Sequence, residues 1–119
     1  MYNYSAFEPE LKKTLIYLGI TPNYRGYDYI VLAMQLVFEN PERLQYVTKE
    51  LYPVIAEKYN TDWRAVEHSI RITISRSWER DSALFAKILG AWVTERPAVG
   101  RFLAVLYTYL LIEFEEDVI

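Results

Sequence analysis

Turn signals constrain this chain more than any other feature. They cut it into helix-length pieces, and no piece alternates apolar and polar residues with the period of two that a half-buried strand needs. A first helix is predicted from Glu8 to Leu18, closed by Gly19, and "TPNYRG" reads as the loop after it. Tyr27 to Glu39 follows, with Tyr27, Ile30, Val31, Met34, Val37 and Phe38 on one side. In "NPER", Asn40 is the expected N-cap and Pro41 the first helical position. The helical stretch there is expected to reach Tyr59, with Pro53 starting a new segment or bending this one. Asn60 and Thr61 are expected to break the chain and recap it. Trp63 to about Arg80 then reads as the longest clear helix, and Ser82 to Leu89 as a short one with Gly90 near its end. After the turn "ERPAVG", Arg101 to Phe114 is a very apolar last helix. The expected class is all-α, a compact bundle of about six helices forming one domain over residues 1–119.

Composition narrows what such a bundle can be. The chain is 52% hydrophobic and 16% aromatic, enough for a real core. Its eleven tyrosines are expected mostly to line that core with their hydroxyls at the surface. There is no cysteine, hence no disulfide framework and no cysteine metal site. The start "MYNYSAFEPEL" lacks the basic opening and apolar run of a signal peptide. The longest apolar run, "FLAVLYTYLLI", is about half a membrane span. A soluble cytoplasmic protein without a membrane partner is expected.

The formal net charge of −3 conceals an uneven distribution. The tail "EFEEDVI" holds Glu113, Glu115, Glu116 and Asp117; without them, thirteen basic residues face twelve acidic ones. Between Lys58 and Arg80, five basic residues (Lys58, Arg64, Arg71, Arg76, Arg80) stand against Asp62, Glu67 and Glu79. A mildly basic middle permits nucleic-acid binding without demanding it.

Enzyme chemistry finds no foothold. His68 is the only histidine, and no second histidine or cysteine can join it as a metal ligand or nucleophile. Glu8 with Glu10, and Glu115 with Glu116, read as solvated charge rather than catalytic pairs. The four glycines, Gly19, Gly26, Gly90 and Gly100, are isolated, so no phosphate-cradling loop exists. Trp63 and Trp78 read as core rather than base-stacking platforms, and Trp92 lies near a turn. No catalytic residue, cofactor or metal is expected.

The informative stretch is "NTDWRAVEHSIRITISRSW", Asn60 to Trp78. At 100° per residue from Val66, Trp63, Ile70, Ile74 and Ser77 fall within about 80° on one side. Arg64, His68, Arg71 and Ser75 fall within about 60° of one another on the far side, flanked by Glu67 and Ile72. Ahead of it, Pro53 to Tyr59 and a turn of about three residues complete helix-turn-helix spacing. Ala56 would be the small residue where the helices approach, and Val66 and Ile70 would pack on Ile55 and Tyr59. Spacing alone fits an ordinary three-helix corner equally well.

"GYDYIVLAM", then "LYPVIAEKYNT", "VEHSIR" and "SRSW", in order and at matching separations, resemble the C-terminal DNA-binding effector domains of stage 0 sporulation protein A, a response-regulator family. The resemblance covers nearly the whole chain. It loosens after Trp78, where the segment to "ERP" is a few residues shorter, and resumes in "RFLAVLYTYLLIEFE". It implies a six-helix fold whose long helix enters the major groove of a promoter element. The implied partners are double-stranded promoter DNA, a second copy on a tandem element, and an RNA polymerase sigma factor. The family's receiver domain has no room before "GYDYIVLAM", so the chain is expected to be either an excised effector domain or a stand-alone regulator.

The resemblance places base reading at Glu67, His68, Arg71 and Ile72. Glu67 and Arg71 match the family pattern, His68 stands where arginine is usual, and Ile72 where histidine is usual, so an altered target is expected. Arg71 can fork onto guanine O6 and N7, and Glu67 can accept from a cytosine amino group or orient Arg71 across one helical turn. His68 offers one contact, and Ile72 only a surface for a thymine methyl or another protein. Asn60, Thr61 and Arg64, near the helix start, are expected at phosphates, with Lys58, Ser75 and Arg76 adding contacts at the flanks. Two readings result: a sequence-specific DNA-binding regulator, or a helical domain of this family turned to protein binding, favoured by His68, Ile72 and the acidic tail.

Overall fold

Apolar residues three and four apart in each segment gather into one core, and helices form around it. A computed structural model of the chain describes residues 3–90 and 95–118, with side chains through Glu113. Six α-helices lie among the described residues: α1 (Tyr4–Tyr17), α2 (Arg25–Glu39), α3 (Tyr52–Lys58), α4 (Trp63–Arg80), α5 (Ser82–Leu89) and α6 (Val99–Val118). The fold is all-α, without strands among those residues. Phe7, Leu11 and Leu15 of α1, Ile30 and Met34 of α2, Ile55 of α3, and Val66 and Ile70 of α4 are sealed from solvent. From the last two helices, Phe85, Phe102, Leu103 and Leu106 complete the core. Trp78 packs edge-on to Phe85 at 5.4 Å, so its ring belongs to the core side of α4. Trp92 lies outside the described residues.

Several boundaries differ from expectation, each for a local reason. α1 begins at Tyr4 rather than Glu8, because Asn3 accepts from the Ala6 N–H at 3.0 Å and caps the helix early. Pro9 is tolerated inside α1 because it and Ser5, whose carbonyl it deprives of a donor, are both exposed. α2 starts at Arg25, two residues before the expected Tyr27.

The stretch after α2 is not one helix. Asn40 does cap it, accepting from the Glu42 N–H at 3.2 Å, but a 3₁₀ turn (Pro41–Gln45) and a π turn (Val47–Leu51) precede α3. Arg43 donates to the Leu36 carbonyl at 2.6 Å, which folds the segment back onto the end of α2. α3 then begins at Tyr52, with Pro53 in its first turn. α6 starts at Val99 rather than Arg101, because burying Val99 recruits the extra residues, and it continues to Val118.

Two contacts fix α4. The first is with α2, at Gly26. A Cβ there would lie 2.8 Å from the Ser69 backbone carbonyl and closer still to Thr73 Oγ1. The Thr73 hydroxyl is itself tied to that carbonyl at 2.8 Å, so neither neighbour can yield. The second is with the end of α1. Gly19, at φ +77°, ends α1 with paired bonds from the Gly19 N–H to Ile16 and from the Ile20 N–H to Leu15. The Leu18 carbonyl then accepts from the buried Ser77 hydroxyl at 2.6 Å, a bond spanning 59 positions of sequence.

Gly26→Ala is therefore expected to cost about 1–3 kcal/mol by overpacking. Gly100→Ala, where an added Cβ meets only Val47 at 3.7 Å in the first turn of α6, should be neutral or stabilising by up to about 1 kcal/mol. Urea unfolding of both variants checks the contrast. Burial pushes the phenols of Tyr4 and Tyr52 up to about 12. The unfolded chain releases these protons near pH 10, so the stability they confer is intact below that pH and lost as pH rises towards 12. A denaturation midpoint that did not fall across this window would contradict the burial of the two rings.

Candidate nucleic-acid interface

The turn between α3 and α4 presents the candidate surface. α3 ends in a left-handed residue, Asn60 at φ +54°. The Asn60 N–H returns to the Glu57 carbonyl at 3.3 Å, and the Thr61 N–H to the Ala56 carbonyl at 2.9 Å. This pair of bonds closes a helix when the residue after its cap turns left-handed, and asparagine tolerates that conformation better than most side chains. Asp62 has extended backbone, and its carboxylate accepts from the Ala65 N–H at 2.9 Å. Asn60 and Thr61 thus break the chain as expected, but the residue that recaps it is Asp62, whose side chain is the one that reaches the free N–H of Ala65. The start of α4 is consequently occupied by a negative group. Ala56 is buried where the two helices meet, and Ile55 shares the core with Val66 and Ile70. Tyr59 is 41% exposed and lies edge-on to Tyr29 at 5.2 Å.

The faces of α4 divide at the expected phase. Val66, Ile70, Thr73, Ile74 and Ser77 are buried, whereas Arg64, His68, Arg71 and Arg76 are exposed. Glu67, His68 and Arg71 come together on this outward strip. Arg71 Nε donates to Glu67 Oε1 at 3.2 Å, and Arg71 Nη2 lies 3.0 Å from His68 Nδ1. Arginine only donates, so His68 Nδ1 accepts and the neutral ring carries its proton on Nε2. The guanidinium is thus held from two sides on its own helix. Its pairing with Glu67 is weak: the side chains are 49% and 30% exposed, and such i, i+4 pairs contribute about 0.3–0.5 kcal/mol. The Glu67 pair is thus weak beside a bidentate arginine–guanine contact, which carries about 1–3 kcal/mol of discrimination, and it does not by itself lock the guanidinium.

Ile72 stands apart from this trio. It is 38% exposed and, with His68 and Arg76, edges a shallow cleft of about 310 Å³ formed against Tyr24, Arg25 and Gly26. Lys58, Asn60 and Thr61 are exposed at the turn, and the Arg64 guanidinium lies 5.0 Å from the centre of the Trp63 ring. Ser75 is already engaged. Its hydroxyl donates to the Arg71 carbonyl at 2.9 Å and accepts from Arg96 Nη1 at 2.8 Å.

Two arginines reach this surface that the sequence reading did not place there. Arg25 opens α2 beside the cleft, a position fixed by the Gly26 approach. Arg96 arrives from the turn before α6, 21 positions from Ser75, and no periodicity connects them.

The pattern of the sporulation initiation factor Spo0A C-terminal family matches residues 11–110, most of the chain. The chain belongs to this family. Its members' shared part is a DNA-binding regulatory domain concerned with transcription and sporulation, and not an enzyme family. Among the described residues, no helix is long and apolar enough to cross a membrane.

The α3–α4 turn makes a sharp prediction. Asn60→Gly should leave stability within a few tenths of a kcal/mol, whereas Asn60→Val, branched at a left-handed position, should lose about 1–2 kcal/mol. Thermal melts of the two variants distinguish them; equal melts would mean that position 60 is not left-handed.

Proposed function

We propose that this member of the Spo0A C-terminal family is a sequence-specific DNA-binding transcription regulator that lays α4 in the major groove of a promoter element. The observation that carries this reading is the outward strip of α4, where Glu67, His68 and Arg71 form one hydrogen-bonded group directly opposite a sealed apolar face. Arg71 reads guanine once freed from its neighbours, Glu67 accepts from cytosine or re-pairs with Arg71, and His68 offers a single donor at Nε2. Ile72 touches a thymine methyl. Lys58, Asn60, Thr61, Arg64 and Arg76 border the strip and serve the phosphates on either side. Family membership supports two further partners, a second copy on a tandem element and an RNA polymerase sigma factor. It also supports action in the cytoplasm, on the chromosome.

A second reading draws on Ile72. Its exposure beside the cleft suits a protein partner with an apolar knob. The two readings diverge in salt. Phosphate contacts make affinity fall steeply with added salt, whereas an interface centred on Ile72 responds far less.

Selection from random duplexes, followed by competitive binding, tests the DNA reading. Arg71→Ala should lower affinity for the selected site by about 1–3 kcal/mol with helix content unchanged. His68→Arg combined with Ile72→His should move preference towards the element usual for the family, while changing stability by less than about 0.5 kcal/mol. Undiminished binding by Arg71→Ala would remove α4 from the base-reading role. Unchanged preference in the double variant would remove positions 68 and 72 from specificity.

A further inference from the structure

Arg96 lies outside the helix-turn-helix, yet its guanidinium is held against the outward face of α4. Its Nη1 donates to Ser75 Oγ at 2.8 Å, and the Ser75 proton is given to the Arg71 carbonyl at 2.9 Å. Ser75 follows Arg71 by one helical turn on the same face, so Arg96 is seated directly beyond the Glu67–His68–Arg71 group. That hydrogen bond engages one of the five N–H donors of a guanidinium; the other four point to no carboxylate among the described residues. The side chain is exposed, and Pro97 after it restricts the Arg96 backbone to extended conformations, which limits the freedom lost in holding this pose. Arg76, the next residue of α4 after Ser75, is also exposed.

We infer that Arg96 is a phosphate-binding residue of the DNA interface, gripping a backbone phosphate beyond the bases read from α4, with Ser75 as its positioning residue. The inference rests on the DNA-binding reading above. The phosphate contact expected of Ser75 itself passes to Arg96, because the Ser75 hydroxyl has its one proton committed to α4. A phosphate is favoured over a base because Arg96 approaches from a turn at the edge of the strip rather than from the strip itself. The contact should therefore contribute affinity and register without sequence preference.

The experiment measures binding of the full chain, as wild type, Arg96→Ala, Arg96→Lys and Ser75→Ala, to its selected duplex and to a random duplex between 50 and 300 mM salt. Arg96→Ala should weaken both duplexes alike, about eightfold near 0.1 M salt, and lower the slope of log affinity against log salt by about one. Arg96→Lys should keep the wild-type slope, since the charge is retained. Ser75→Ala should also keep the slope while losing affinity, because Arg96 is then present but unplaced. If wild type binds DNA and Arg96→Ala matches it in slope and affinity, the inference is overturned while the DNA reading stands. If Arg96→Ala loses affinity with an unchanged slope and a lowered melting temperature, Arg96 is a structural tie between the turn and α4, and the inference again fails. If wild type binds no duplex with a salt-dependent affinity, the DNA reading itself falls, and this inference with it.

Discussion

The approach of α2 to α4 at Gly26 is the constraint from which the rest of the surface follows. With no Cβ at Gly26, the backbone of α2 rests against the Ser69 carbonyl and the Thr73 side chain. The side of α4 that includes Val66, Ile70, Thr73 and Ile74 is thereby sealed. Once that side is fixed inward, helical geometry fixes Arg64, His68, Arg71 and Ser75 outward. The same contact brings Arg25 beside His68 and Arg76, so a packing requirement in the core also sets part of the charge pattern outside. Ser77, bonded to the end of α1, prevents α4 from rotating about the Gly26 contact.

The outward strip works by exchange of weak bonds. Arg71 is not a free cation; it is held by Glu67 and His68 on the outward face of α4. Because both partners are partly exposed, the hold is shallow compared with a bidentate base contact. An arginine at position 68 would repel Arg71 instead of accepting from it. The histidine therefore changes the behaviour of its neighbour as well as its own contact, and the two positions cannot be read independently.

Much of this was legible in the sequence, because it depends on periodicity. The bounds of α4 and α5, its buried and exposed sides, and the cap at Asn40 follow from residue type and spacing that neighbours need not supply. What escaped was decided at a distance. The 3₁₀ and π turns between α2 and α3 are set by Arg43 reaching the Leu36 carbonyl, and the early start of α6 by burial of Val99. Asp62 took the capping role expected of Asn60 and Thr61 because α3 closes through Thr61, whose N–H reaches the Ala56 carbonyl, and the cap of α4 therefore falls one residue later, a junction of two helices that a single-helix rule does not see. The ring of Tyr59 meets Tyr29 of α2, a contact between elements that helical period does not reveal. Arg96 escaped entirely, because its bond to Ser75 crosses a turn and ignores helical period.

The double anchoring of α4 has a thermodynamic consequence. A helix pinned at its middle by Gly26 and near its end by the Ser77 bond has little backbone freedom left to lose. The proposed association would then order mainly the tips of exposed arginines, each at about 0.5–1.5 kcal/mol, with no segment of α3 or α4 left to fold onto a partner. The heat capacity change on complex formation should accordingly match the apolar area covered at the interface, without the excess that accompanies coupled folding. Under the proposed docking of α4 in a duplex, any bend needed for it to seat fully falls to the DNA, so stiff and flexible base steps outside the contacted positions would become part of the recognised element.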